Sequence, residues 1–270
     1  MTTHTPKPNP PLLAFLAAAL LAGLWACSSK SVTVTPEIAA SDEQLFKLGE
    51  SVIKRDPDKA RIYLRQVIDS FPKSYYAQRA KLAIANSYFD QGDEANLILA
   101  TAEYRDFIRS YPYSPSASFA QYRIALTFYN QALKPGRDQS KTHEALAEFK
   151  KVSTEYPLSD EAKLAQVKAR ACEQRLADHY FGIAQLYNRY KAFRAAISRL
   201  TEILTEYPNY TKMDQVYYFL ADSYYRGKKP DESVPYFTKL VSDYPRSKYA
   251  DEAAEALAEI AAAKKAKPTK

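Results

Sequence analysis

The 270-residue sequence is poor in cysteine and histidine, the residues that serve most often as nucleophiles, proton shuttles and metal ligands. It has two cysteines, Cys27 and Cys172, and three histidines, His4, His143 and His179. These histidines lack the i,i+4 spacing of a helical metal site. Glycine-rich phosphate-binding signatures, a GxSxG nucleophile motif and a CxxC pair are also absent from the sequence. We therefore expect no enzyme activity, no metal and no cofactor.

Glycine is equally scarce, with six residues in the chain, whereas aromatic residues make up 13%. The sequence shows no run of alternating apolar and polar residues typical of strands, so this composition favours an ordered helical protein. Cys172 lies in a helical pattern and is expected to be buried and unreactive. The net charge of +7 is spread along the chain, which argues against nucleic-acid binding, where basic residues gather on one face.

Five aromatic–proline pairs recur at intervals of 37 to 51 residues. They are Phe71-Pro72, Tyr111-Pro112, Tyr156-Pro157, Tyr207-Pro208 and Tyr244-Pro245. A small residue lies twelve positions before each proline: Ala60, Ala100, Ala145, Ala196 and Ser233. Bulky apolar residues lie eight positions before it (Leu64, Tyr104, Phe149, Leu200 and Phe237) and five positions before it (Val67, Phe107, Val152, Ile203 and Leu240). These offsets place the three positions on one face of a helix that the proline ends.

The helix after each turn is the first helix of the next repeat, and it also has a recurring pattern. An alanine thirteen residues after the proline precedes an aromatic residue by three positions, in the pairs Ala85/Tyr88, Ala125/Phe128 and Ala221/Tyr224. Serines suited to cap this helix come two residues after four of the prolines: Ser74, Ser114, Ser159 and Ser247. The pattern resembles the tetratricopeptide repeat. It implies an all-α, superhelical solenoid of about five repeats with a C-terminal capping helix.

Two repeats depart from this pattern. The third contains Pro135 and Gly136 between its helices, so 133–140 is predicted to be a loop. In the fourth, the alanine–aromatic pair is Ala184 and Tyr187, and this alanine comes 27 residues after Pro157. We interpret 160–190 as a long or broken helix that protrudes from the stack, with a bend near 179–182.

Apolar and aromatic side chains beside the packed face predict a partner-binding groove. The residues are Phe46, Leu82, Asn86, Phe89, Phe119, Tyr122, Leu126 and Tyr129. Large aromatic residues next to polar ones suit an extended peptide, although burial between repeats is the alternative for each of them. Arg194 and Arg199 in the fourth repeat predict a separate cationic edge for an acidic domain surface.

The apolar stretch 12–26 is too short for a membrane span and has the length of a signal-peptide core. It ends in Leu24-Trp25-Ala26-Cys27, which resembles the bacterial lipobox, so Cys27 is the predicted lipidation site. An ordinary signal peptide with a chance cysteine and a retained transmembrane anchor are the alternatives. We divide the chain into a lipoprotein signal peptide (1–26), a flexible tether (27–40), the repeats with their cap (41–263) and a basic tail (264–270).

Together, the lipobox, the short tether, Arg137-Asp138 before Ala145 and the overlong fourth repeat resemble the BamD family, lipoprotein subunits of the β-barrel assembly machine. This resemblance implies a non-enzymatic protein held by lipid on the periplasmic face of the outer membrane, a location that Ser28 after the cysteine also favours. The implied partners are unfolded outer-membrane β-barrel proteins in the N-terminal groove and BamA-like periplasmic domains at the C-terminal repeats. Arg199 takes the place of an interface arginine.

The main alternative is a cell-envelope tetratricopeptide scaffold that coordinates peptidoglycan or envelope machinery, including the tail domains that follow trimeric coiled coils. No heptad segment precedes the repeats in this sequence, and a lipobox is present, so the coiled-coil form is disfavoured.

We predict that the Cys27→Ala variant leaves the membrane fraction or accumulates as an uncleaved precursor. Stable anchoring requires at least two acyl chains, and the substitution removes the thiol that would carry them. Membrane fractionation and metabolic labelling with palmitate measure both effects. Unchanged processing and unchanged membrane retention would contradict the assignment.

Overall fold

The computed structural model describes residues 35–266, which form twelve α-helices and no strand. The helices are α1 (Pro36–Ala39), α2 (Asp42–Val52), α3 (Pro57–Ser70), α4 (Tyr75–Gln91), α5 (Glu94–Ser110), α6 (Ala117–Gln131), α7 (Ser140–Glu155), α8 (Asp160–Arg189), α9 (Phe193–Glu206), α10 (Met213–Arg226), α11 (Pro230–Asp243) and α12 (Ala250–Ala266).

Each helix packs mainly against its neighbours in sequence. The five repeats are the pairs α2/α3, α4/α5, α6/α7, α8/α9 and α10/α11, and α12 covers α11 at the C-terminal end. Buried residues form successive clusters along the stack instead of one central core. The predicted all-α tetratricopeptide solenoid is therefore confirmed.

The repeating positions of the second helices are the core of this stack. The small residues Ala60, Ala100, Ala145, Ala196 and Ser233 have no solvent exposure, and the bulky residues that follow them are equally buried or nearly so. Ala85, Ala125 and Ala221 on the first helices are also fully buried. A methyl group or hydroxymethyl group at these points lets neighbouring helices approach closely, and the aromatic side chains beside them fill the remaining space.

The aromatic residue before each proline ends its helix in the same way in all five repeats. Its backbone N–H donates to the carbonyl four residues earlier, as Tyr111 does to Phe107 at 2.9 Å. Ser74 and Ser159 cap the next helix as predicted. The other two serines do not: Ser114 and Ser247 accept N–H bonds within the turn, and α6 and α12 begin three residues after them.

The contacts between helices also bury polar groups that the repeat pattern does not reveal. Arg61 is only 6% exposed. Its guanidinium donates to Ser87 Oγ at 3.1 Å, pairs with Asp58 and lies 4.0 Å from the Tyr88 ring centre. Between the second and third repeats, the hydroxyl groups of Thr101 on α5 and Thr127 on α6 are 2.8 Å apart. Buried polar groups need such partners because their desolvation is costly without them.

Helix α8 corrects the interpretation of the fourth repeat. It is one continuous helix of 30 residues, and it lies within the stack instead of protruding from it. Its N-terminal half buries Ala165 and Cys172 against α7, and its C-terminal half buries Leu176 and Phe181 against α9. The extra 14 residues add about four turns along the helix axis, so one helix serves two successive packing partners.

The predicted loop of the third repeat is present and is attached to α8. Gln139, which is buried, donates its amide N–H groups to the carbonyl oxygens of Lys134 and Arg137. From α8, Arg175 donates to the carbonyl oxygen of Ala132, and His179 Nδ1 lies 2.6 Å from that of Pro135. The connection is thus held against the long helix.

Both ends of the repeat region differ slightly from the expected boundaries. The short helix α1 falls inside the segment predicted as tether, and Ile38 packs against the first repeat. The capping helix continues to Ala266, three residues into the predicted basic tail. The predicted signal peptide and Cys27 lie outside the described residues. Among the helices of residues 35–266, none has the length and apolarity needed to cross a membrane.

We predict that Ala125→Leu lowers the free energy of unfolding by about 1–3 kcal/mol, because the larger side chain overpacks a fully buried contact. Urea unfolding followed by circular dichroism measures the change. Ala102→Leu, at an exposed position of α5, is the matched control and should be nearly neutral. Equal stability of both variants would show that the repeat positions are assigned wrongly.

Candidate functional site

The predicted aromatic stripe lies on the first helices of repeats two and three. Leu82, Asn86 and Phe89 share one face of α4, and Phe119, Tyr122, Leu126 and Tyr129 share one face of α6. All seven side chains are half-buried. The six apolar and aromatic side chains among them pack with their inner edges on the buried clusters of this part of the stack, so part of each stabilises the fold and part remains accessible.

Arg123 joins the two helices of the stripe. Its guanidinium lies 4.4 Å from the ring centre of Phe89 on α4 and 5.0 Å from that of Phe119 on its own helix. Within residues 35–266 it forms no salt bridge with a carboxylate. A guanidinium over aromatic rings retains N–H groups at its edge for hydrogen bonding, so Arg123 is a positively charged donor in the middle of the stripe.

Further cations lie over the other end of the stripe. Lys168 Nζ is 4.7 Å from the ring centre of Tyr129, and the Arg175 guanidinium is 5.3 Å from it. Beneath them, Tyr122 and Tyr129 contact the fully buried Phe149 with ring centres 5.7 and 5.9 Å apart. The stripe is therefore a row of aromatic rings with positive charge above it.

These cations were not predicted from the sequence, although their spacing along the chain indicates a shared position. Arg123 and Lys168 each lie eleven residues after the proline that precedes their helix, Pro112 and Pro157. Equivalent positions in successive repeats stack above one another, so a shared basic residue at this offset predicts a line of positive charge along one face.

Phe46 does not belong to the accessible stripe. It is 2% exposed and is part of the core of the first repeat. The Arg79 guanidinium covers its ring at 4.4 Å, and the Tyr76 ring centre is 5.5 Å away. The prediction of a partner contact at Phe46 is wrong, because α4 closes over the residue that the isolated repeat pattern leaves open.

Asn86 is partly committed to the fold. Its side-chain oxygen accepts a hydrogen bond of 2.6 Å from the hydroxyl of Tyr104. Burial raises the pKa of Tyr104 well above its ordinary value, so this hydroxyl remains a donor. The amide N–H groups of Asn86 remain available for a partner.

Arg194 and Arg199 do not form one cationic edge. They are five residues apart on α9, which places them about 140° apart around the helix. Arg199 donates to Glu202 at 2.8 Å and lies 5.8 Å from the Tyr180 ring centre. Arg194 is exposed near the N-terminus of α9. The two arginines therefore belong to different surfaces.

Metal-ligating clusters and thiols are two chemical features to consider in the described part of the chain. No group of three His, Cys, Asp or Glu residues in it could hold a metal ion. Burial raises the pKa of the Cys172 thiol to about 11, so the sulfur is neutral at physiological pH and a poor nucleophile.

We predict that Cys172 resists alkylation by iodoacetamide in the folded protein at pH 8 and reacts once urea unfolds the chain. The raised pKa keeps the thiol protonated below about pH 11, and burial blocks the reagent. Mass spectrometry measures the modified fraction, with Cys172→Ala as the blank. Rapid alkylation of the native protein would contradict the buried assignment.

Comparison with known proteins identifies the family. The family model described as YfiO, outer membrane lipoprotein, matches residues 38–231. A protein of Vibrio cholerae named outer membrane protein assembly factor BamD is 30% identical over 209 residues, covering 73% of this chain and 83% of its own.

Two further relatives carry the same name. The Rickettsia prowazekii protein is 28% identical over 88% of this chain and 94% of its own length. The Caulobacter vibrioides protein is 26% identical over 81% of this chain and 70% of its own. The predicted resemblance to BamD is confirmed, and this chain belongs to the YfiO (BamD) family of outer membrane lipoproteins.

Proposed function

We propose that this chain is a non-enzymatic subunit of the β-barrel assembly machine, anchored by lipid to the periplasmic face of the outer membrane. Family membership and the shared name of its relatives, outer membrane protein assembly factor, support this role. The observation that carries the proposal is the half-buried aromatic stripe with Arg123 above it, since such a surface suits the binding of an extended peptide.

The stripe is the proposed site for unfolded outer-membrane β-barrel proteins. An extended client segment gains apolar contact with Phe89, Phe119 and Tyr122, whose rings are already ordered by their inner packing. Preordered rings lose little conformational entropy on binding, which favours affinity. Arg123 and the free amide group of Asn86 supply hydrogen-bond donors for the polar groups of the segment.

The surface around Arg199 is the proposed contact for a BamA-like periplasmic domain. Arg199 is 41% exposed and is paired with Glu202 beside Tyr180, which stacks on Tyr207 with ring centres 6.0 Å apart. A fixed arginine on an aromatic base is a typical centre of a protein interface. Because Arg199 is already paired with Glu202, an acidic group of the partner must compete with this ion pair. The orientation of that group therefore affects binding more than the net charge of the partner does.

The lipid anchor is proposed at Cys27, eight residues before the first described residue, Thr35. Eight residues span at most about 26 Å when extended. An anchor of this reach keeps the first repeat close to the membrane surface while the stripe, one and two repeats further on, faces the periplasm.

We predict that the double variant Phe119→Ala/Tyr122→Ala binds a client-derived C-terminal peptide about tenfold more weakly and retains the BamA-like partner. Truncating two ordered aromatic side chains removes the apolar contact area of the stripe. Fluorescence anisotropy with a labelled peptide measures the first property and co-purification the second. Tyr113→Ala removes an aromatic ring that is 98% exposed and away from the stripe, so it is the matched control.

Arg199→Glu should show the opposite pattern, with loss of the BamA-like partner and unchanged peptide affinity, because it places a like charge opposite an acidic surface. Circular dichroism verifies that each variant is folded. If both variants lose both partners, the two surfaces are not separate; if neither loses a partner, the surfaces are misplaced.

A further inference from the structure

A cavity of 480 Å³ opens where the turn before α9 meets the turn between α10 and α11. It lies at the contact between the fourth and fifth repeats and is formed by backbone and side chains from both. The residues around it are Lys191, Ala192, Phe193, Arg194, Ala195, Ile197, Ser223, Gly227 and Lys229. Neither the aromatic stripe nor Arg199 contributes to it.

The floor of the cavity is apolar and is formed by residues of α9 and of the end of α10 that lie close together. Phe193 and Ile197 lie one helical turn apart on α9 and line the same side. Gly227 faces them from the end of α10, where an added Cβ would lie 2.7 Å from the Ser223 carbonyl oxygen and 3.5 Å from Phe193 Cβ. A side chain at this position would therefore collide with the Ser223 carbonyl oxygen of its own helix, whereas its contact with Phe193 would be an ordinary van der Waals contact.

The rim of the cavity is cationic. Lys191, Arg194 and Lys229 line it, and Lys228 is adjacent in the turn. Of these four, only Lys229 has a carboxylate partner among the described residues, Glu232 at 3.6 Å. Two repeats thus contribute positive charge to one opening, and most of that charge is unneutralised.

The backbone at the rim is also unusual. Lys191 and Lys228 have φ angles of +59° and +63°, and they are the non-glycine residues with positive φ in residues 35–266. Lysine adopts this left-handed conformation rarely, and glycine would do so at lower cost. Both turns therefore hold a lysine in a strained conformation beside the same cavity, as is common at binding sites.

The two helices that begin at the rim add to its positive potential. Helices α9 and α11 have no side-chain cap hydrogen bond at their N-termini, Ala192 and Lys229. The first N–H groups of an uncapped helix have no acceptor within the helix and carry partial positive charge. This contribution supports the side-chain charges and would not define a site without them.

We propose that this cavity binds an acidic, apolar peptide segment of a partner protein. An Asp or Glu side chain of the segment pairs with Lys191, Arg194 and Lys229, and a neighbouring Leu, Ile or Phe side chain enters the floor between Phe193 and Gly227. The combination of charge complementarity at the rim with an apolar floor favours a peptide over a free phosphate or a lipid headgroup, which would use the cations and leave the floor empty.

This inference goes beyond the proposed function, because the cavity is separate from the surface around Arg199. The two surfaces lie about 140° apart around α9. The binding of a β-barrel client or of a BamA-like domain could fail while the cavity still binds its segment, and the reverse is equally possible.

The test is to pan a random dodecapeptide phage library on the detergent-solubilised full chain and, in parallel, on the Arg194→Gln/Lys229→Gln variant. Both substituted residues are exposed, so the variant is expected to fold. We expect peptides enriched on the wild type alone to carry Asp or Glu next to Leu, Ile or Phe. A synthetic peptide of this sequence should bind the variant about tenfold more weakly, and high salt should weaken its binding to the wild type.

Arg199→Gln is the matched control, since it removes a cation from another face of the same helix, and it should bind the peptide as the wild type does. Enrichment of the same peptides on wild type and variant, or of peptides without acidic residues, would overturn the proposal. Inorganic phosphate and glycerol phosphate are then tested as competitors at constant ionic strength. Displacement of the bound peptide by either compound would overturn the proposal and assign the site to phosphate groups.

Discussion

The structure depends on close contact between helices at positions where the side chain is small. Ala85 and Ala125 on the first helices, and Ala100 and Ala145 on the second, have no exposed surface. Each contact brings two backbones together and leaves room beside them for a large ring such as Tyr104 or Phe149. Because every repeat uses the same arrangement, the stack extends in one direction and each repeat is stabilised by its neighbours.

This arrangement also produces the surface available for binding. A solenoid has no enclosed interior, so aromatic residues next to the tight contacts are buried on their inner edge and accessible on the outer one. Tyr122 and Tyr129 show this directly, since both contact buried Phe149 and both remain half-exposed. Cations such as Arg123 and Lys168 then lie over the rings, where they cover apolar surface and keep their charge available.

Features set by local spacing could be predicted from the sequence. The aromatic–proline turns, the buried alanines and the loop of the third repeat follow from helical periodicity and from the properties of proline and glycine, and the structure contains them. The position of α8 within the stack could not be predicted. The 14 extra residues are compatible with a protrusion or with four more helical turns inside the stack, and the packing of α8 on both α7 and α9 distinguishes the two.

Features that depend on contacts between neighbouring repeats could not be predicted from the sequence either. Phe46 has the spacing of a groove residue, and only the position of Arg79 on the next repeat shows that it is covered. The cavity beside Arg194 is formed by turns that are more than thirty residues apart in sequence. Such contacts are tertiary and leave no periodic signal.

We propose that one helical stack binds clients and a subunit of the assembly machine on separate surfaces. The most direct measurement is site-specific photo-crosslinking in intact cells, with a photoreactive amino acid at Tyr122 and, in a second strain, at Arg199. We expect transient adducts with newly made outer-membrane proteins from position 122 and a stable adduct with a BamA-like protein from position 199. The same adducts from both positions, or an exchange of the two patterns, would contradict this proposal.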